Sequence, residues 1–194
     1  MTDGSTSLSL LQQVRAQNPD AWTRLFYLYS PLVYHWCQSW GVRGADADDI
    51  RQDVFRAVAS GLETFRHDRP GDTFRGWLRV ITRRKFLDYC RRQGTQPQAE
   101  GGSDANVRLH QVPEPPELAG DDSPDEVRRL HHRGLELVRD QFEDRTWQAF
   151  WRTAVEGQAP ADVAQDLGMT PAGVRKAKSR VLRALREEFG DLLG

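Results

Sequence analysis

Residues 158–188, QAPADVAQDLGMTPAGVRKAKSRVLRALREE, hold two short helical patterns that meet at a Gly-Met-Thr-Pro turn. Pro160 to Leu167 reads as a support helix with Val163, Ala164 and Leu167 facing inward. Gly168 supplies a turn conformation that a side chain resists. Thr170 is a good N-cap, and Pro171 fits the first helical position because its missing N–H has no partner there in any case. Val174, Ala177, Val181, Leu182 and Leu185 then recur at helical spacing. Arg175, Lys176, Ser179 and Arg183 are left outside, with Lys178 and Arg180 nearer the flanks. A support helix, a glycine turn, a threonine cap and a basic face occurring together predict a helix-turn-helix whose second helix reads duplex DNA in the major groove. Arginine there can pair bidentately with guanine, and Lys or Ser serves base edges or phosphates.

Working outward, the remaining patterns are also helical, with no convincing strand alternation and no internal repeat. Leu8, Leu11 and Val14 form an early stripe. Asn18-Pro19 reads as a cap and first turn, and Trp22, Leu25, Phe26 and Tyr29 continue one face. Pro31 is expected to bend or restart this helix, which runs on to Gly41. A third helix starts in the acidic cluster Asp46, Asp48, Asp49, favourable at a positive helix N-terminus. It buries Ile50, Val54, Phe55, Val58 and Leu62. After the loop RHDRPGD, a fourth helix is expected from Thr73 to Arg92, with Phe74, Trp77, Leu78, Ile81 and Leu87 inside and Arg75, Arg79, Arg83 and Arg84 largely outside. Composition changes abruptly at Gln93, where Gly, Pro, Gln and acidic residues predominate and describe a linker. Periodicity returns at Val127, Leu130, Leu135, Leu137 and Val138, and again at Trp147, Phe150 and Trp151. The expected fold class is all-α: a four-helix domain over 1–92, a flexible acidic linker over 93–124, and a helix-turn-helix domain over 125–194.

Charge is segregated beneath a formal net of -1 over 194 residues. Residues 66–92 carry nine Arg or Lys against three Asp, whereas 93–126 carry one Arg against eight Asp or Glu. Phosphate responds to the local field, so the basic segments count for more than the sum. In the fourth helix, outward arginines can follow a phosphate track, and Arg66, His67, Arg69 and Asp72 lie beside the helix start, where a loop could capture a base flipped from single-stranded DNA. The His67-Asp68-Asp72 group has no second histidine cluster or nucleophile beside it, so no catalytic residue, metal or cofactor is expected. Cys37 and Cys90 lack any paired motif and suggest small side chains in a reducing compartment. The N-terminus lacks an export pattern and no apolar run reaches 18 residues, so a cytoplasmic protein without membrane insertion is expected.

Three stretches together, DADDIRQDVFRAV (46–58), FRGWLRVITRRKFLDYCRRQ (74–93) and PADVAQDLGMTPAGVRKAKSRVLRAL (160–185), resemble bacterial RNA polymerase sigma factors, specifically the extracytoplasmic-function group of the sigma-70 family. The resemblance spans roughly 7–92 and 125–188. It implies a non-enzymatic initiation factor whose partners are core RNA polymerase, promoter DNA as duplex and as melted single strand, and an anti-sigma protein. It implies core docking by Asp49, Gln52, Asp53 and Arg56. It assigns recognition and melting of the -10 element to the loop Arg66–Thr73 and the following helix, and reading of the -35 element to Thr170 with the exposed face that includes Arg175 and Arg183. From the residues alone, a stand-alone helix-turn-helix regulator and a helical protein-interaction module remain open.

Overall fold

A computed structural model describes residues 9–65, 73–95 and 124–193. The described residues form helices: α1 (Leu10–Arg15), α2 (Pro19–Ser39), α3 (Gly44–Gly61), α4 (Phe74–Thr95), α5 (Pro124–Val138), α6 (Asp144–Ala154), α7 (Pro160–Asp166) and α8 (Pro171–Leu193), with a short 3₁₀ turn at Arg139–Gln141. The expected linker over 93–124 lies almost wholly outside the described residues, as does the loop at 66–72. Internal contacts divide the chain into a central unit, Leu25–Val127, and a terminal unit that joins Met1–Arg24 to Arg128–Gly194.

In the central unit α3 packs along α4, and ring contacts bring in α2. Tyr29 meets Phe74 at 5.0 Å, Trp40 meets Phe86 at 5.2 Å, and Phe65 closes on Phe74 at 5.7 Å and Trp77 at 4.9 Å. The helix does not restart at Pro31, and α2 passes through it as one helix. Proline removes the donor that would reach the Tyr27 carbonyl. Both Pro31 and Tyr27 are exposed, so water can take that carbonyl instead. Asn18 starts the helix by accepting from Asp20 N at 2.9 Å. The register of α4 also departs from expectation. Phe86 is buried where Leu87 was expected, Trp77 and Leu87 are half-buried, and Thr82 is buried with its hydroxyl donating to the Leu78 carbonyl at 2.8 Å.

In the terminal unit α1 packs on α8, and α6, α7 and α8 pack on one another. Ser9 and Gln12 form a capping box at the start of α1, which buries Leu10, Leu11 and Val14. At the far end of α8, Phe189 is fully buried beneath the Arg24 guanidinium, 5.7 Å from its ring. Burial pulls the Arg24 pKa below its ordinary value. Glu188, 7% exposed, satisfies its carboxylate by pairing with Arg24 and by accepting from Gln141 Nε2 at 2.9 Å. A buried carboxylate without such partners would be strongly destabilising.

Candidate nucleic-acid interface

The helix-turn-helix is built from local backbone chemistry. Helix α7 begins with Pro160 in its first turn and ends at Asp166, with Leu167 as its C-cap. Met169 N then donates to Ala164 O at 2.8 Å and Gly168 N to Gln165 O at 3.3 Å. This is the Schellman pattern, which satisfies the last helical carbonyls and requires a left-handed residue after the cap. Gly168 provides it, with φ +58°. Two residues later Thr170 Oγ1 accepts from Gly173 N at 3.0 Å and starts α8. Behind the turn lies a core of Ala149, Val163, Ala164, Val174 and Ala177, with Leu167 and Met169 at its edge.

The core positions of α8 leave the residues expected to read DNA exposed. Arg175, Lys176, Ser179, Arg180 and Arg183 are all exposed, and so is Thr170, whose hydroxyl is occupied by the cap. Successive turns of a helix repeat every 3.6 residues, so positions 175, 176, 179, 180 and 183 form one continuous face. Such a face presents cations and hydrogen-bond donors at the width a major groove admits.

Sequence reasoning missed the supports on α6. Arg145 Nη2 donates to the Gly168 carbonyl. Arg152 donates from Nε to Gln158 Oε1 at 2.7 Å and from Nη2 to Asp166 Oδ2 at 2.5 Å. Trp147 and Trp151, grouped by periodicity with Phe150, separate from it in burial: Phe150 is buried, but the tryptophans are only half-buried. They stack with centroids 6.0 Å apart along an open groove of about 400 Å³. Arg139 lies over Trp147 at 5.3 Å, and His132 meets Trp151 edge-on at 5.6 Å.

The basic helix α4 starts from Thr73, whose hydroxyl accepts from Gly76 N at 3.0 Å. Arg84 is exposed, whereas Arg75, Arg79 and Arg83 are half-buried, more enclosed than expected. The Arg79 guanidinium lies 5.7 Å from the centre of the Trp36 ring, and Arg83 Nε is buried without a hydrogen-bond partner among the described residues. Arg66, His67, Arg69 and Asp72 lie outside the described residues. Phe74 is buried within the aromatic cluster, as its spacing suggested, with Trp77 half-buried at its edge.

On the α3 side, Asp49, Gln52 and Arg56 are exposed and Asp53 is half-buried. Asp53 pairs with Arg56 at 2.7 Å and Arg92 at 3.5 Å. Together with Asp46, Asp49 and Tyr89 they line a groove of about 310 Å³. Tyr89 Oη donates to Asp46 Oδ2 at 2.8 Å. Burial first, and this bond and its carboxylate charge next, push the phenol up to about 12. Cys37 is buried, and burial raises its thiol to about 11 against the opposing pull of Arg51. Among the described residues no group of three or more His, Cys, Asp or Glu could hold a metal ion, and no helix is long and apolar enough to cross a membrane.

The chain is similar to known sigma factors. The sequence pattern of sigma-70 region 2 matches residues 25–96. The chain is 26% identical over 171 residues to the ECF RNA polymerase sigma factor SigE of Mycolicibacterium smegmatis, covering 86% of this chain and 61% of that protein. It is 24% identical over 195 residues to the ECF RNA polymerase sigma factor BldN of Streptomyces coelicolor, covering 98% and 68%. To the RNA polymerase sigma factor CnrH of Cupriavidus metallidurans it is 27% identical over 183 residues, covering 90% and 88%. The chain thus spans under two thirds of the SigE length. Among solved structures, CnrH in complex with the cytosolic domain of CnrY is similar at 23% identity and a TM-score of 0.37, covering 91% of this chain and 92% of that one.

Proposed function

We propose that the chain is a member of the extracytoplasmic-function group of the sigma-70 family, and that it binds core RNA polymerase and brings it to selected promoters. It then stabilises the opened -10 strand while the polymerase performs all phosphoryl transfer, so the chain is not itself an enzyme. Residues 1–92 take core docking and the -10 element, 93–124 connect, and 125–194 take the -35 element. An anti-sigma protein is a further partner of the same proposal.

The observation that carries the reading is the exposed face of α8. Its five polar residues follow a glycine turn and a threonine cap, and its apolar residues are buried behind it. Core docking is assigned to Asp49, Gln52, Asp53 and Arg56, and the -10 element to Arg75, Arg79, Arg83 and Arg84 with Thr73 and the preceding loop.

Core polymerase with this chain is expected to initiate on a cognate promoter and not on a scrambled one. Equal activity on both, or no association with core, would overturn the proposal. Tight binding of the chain alone to a palindrome would favour a stand-alone regulator instead. Arg175→Ala with Lys176→Ala is expected to reduce -35 discrimination by about 1–3 kcal/mol per lost base contact, with core binding retained. Arg84→Ala with Arg79→Ala is expected to weaken open complexes and lower their salt slope by about 0.7 for each lost single-strand phosphate contact. Identical behaviour of the two pairs would refute the division of labour.

A further inference from the structure

We propose that Arg145 and Arg152 are positioning residues that fix the angle of the reading helix by clamping the turn and support helix from behind; this inference rests on the -35 reading of α8. The two residues are seven apart on α6, hence on one face and about 10.5 Å apart along the axis at 1.5 Å per residue. Each reaches a different part of the motif. Arg145 donates to the carbonyl of Gly168, the left-handed residue of the turn. Arg152 donates to Asp166, the last residue of α7, at 2.5 Å, and to Gln158, just ahead of α7, at 2.7 Å. The Gln158 backbone N–H returns a bond to the Arg152 carbonyl at 2.8 Å. Both ends of α7 and the turn into α8 are therefore held from a single helix.

The chemistry of the site favours arginine. Asp166 and the Gly168 carbonyl lie at the negative end of the α7 dipole, where cations are stabilising. A planar guanidinium can serve Gln158 and Asp166 at once, which a single ammonium does poorly. The apolar core beneath is made of Ala and Val, with Leu167 and Met169 only at its edge. Small side chains interdigitate little, so they resist sliding and rotation less than large ones, and directional bonds carry more of the alignment.

The rival role for an exposed arginine beside a helix-turn-helix is a direct phosphate contact, and salt dependence separates the two. Full-length chain assembled with core polymerase is compared on promoters with cognate and scrambled -35 elements across a salt series. For Arg145→Gln with Arg152→Gln, the cognate preference is expected to fall about tenfold, the order of one lost base contact, with the salt slope unchanged. A preference that stays at the unsubstituted level overturns the inference, as does a slope reduced by about 0.9 per arginine. If that variant loses helical content, Arg145→Lys with Arg152→Lys tests the same geometry with charge held constant. Lost preference supports the clamp and retained preference overturns it. An unsubstituted complex indifferent to the -35 sequence would instead overturn the functional reading itself.

Discussion

Gly168 combines two constraints at one position: a backbone with φ +58° and a Cβ direction that would meet Arg145 Nη2 at 3.2 Å. Left-handed backbone costs a non-glycine residue roughly 1–2 kcal/mol. Gly168→Ala should therefore lower stability by about that amount in chemical denaturation. Gly190 gives the opposite case, being helical within α8 with open space around it. Gly190→Ala should raise stability by roughly 0.5–1 kcal/mol, since alanine loses less entropy in a helix. Tyr89 makes a different prediction. Its folded pKa of about 12 stands above the ordinary phenol value, so folding favours the protonated form. That contribution is complete below pH of about 10 and is lost as pH rises toward 12. Burial raises the Tyr29 phenol further in the same direction. Helical signal should accordingly decline with pH across this window, and Tyr89→Phe should move the loss upward. An alkaline midpoint unmoved by Tyr89→Phe would show that the phenol does not contribute.

Among the elements, α4 distinguishes what periodicity can and cannot say. Its inward stripe began correctly at Phe74, Leu78 and Ile81, but the next turn presents Phe86 and not Leu87. A helix face advances in steps of three or four, and the stripe reaches Phe86 by way of buried Thr82, a polar residue that an apolar pattern passes over; Phe86 then lies 5.2 Å from the ring of Trp40. Phe86→Ala should cost about 3–5 kcal/mol and Leu87→Ala distinctly less, as measured by denaturant midpoints. Comparable losses would mean that the register is wrong. Pro31 was equally ambiguous. Sequence identifies a missing donor, but whether a helix ends there depends on which face the orphaned carbonyl meets. The helix-turn-helix was legible because its determinants are local: a cap, a turn glycine and a heptad of apolar positions. Arg145 and Arg152 were not, because an arginine bonded 14 or 23 residues away has the same local pattern as one in water.

Across the whole molecule, the pairing of the first residues with the last was beyond any local pattern. Leu8, Leu11 and Val14 announce an amphipathic helix, yet nothing in their spacing names α8 as the neighbour of α1; Leu8 lies outside the described residues, and Leu10 is buried with Leu11 and Val14. An isolated helix of this length is unstable in water, so α1 owes its existence to that packing. Leu10→Ala with Val14→Ala should therefore reduce hydrogen-exchange protection around Phe189 while protection of α3 is retained. Uniform loss in both regions would contradict the division into two units. One property of α8 reaches further. The residues that hold it in place, Val174, Ala177 and Val181, and those it offers outward, Arg175, Lys176, Ser179, Arg180 and Arg183, are disjoint sets on one cylinder. Substitutions on the outward set leave the buried set untouched, and exposed helix positions tolerate exchange within about 0.5 kcal/mol. On the proposed -35 reading of α8, promoter preference can therefore drift between lineages, or be grafted from one chain to another, without the scaffold having to be rebuilt each time.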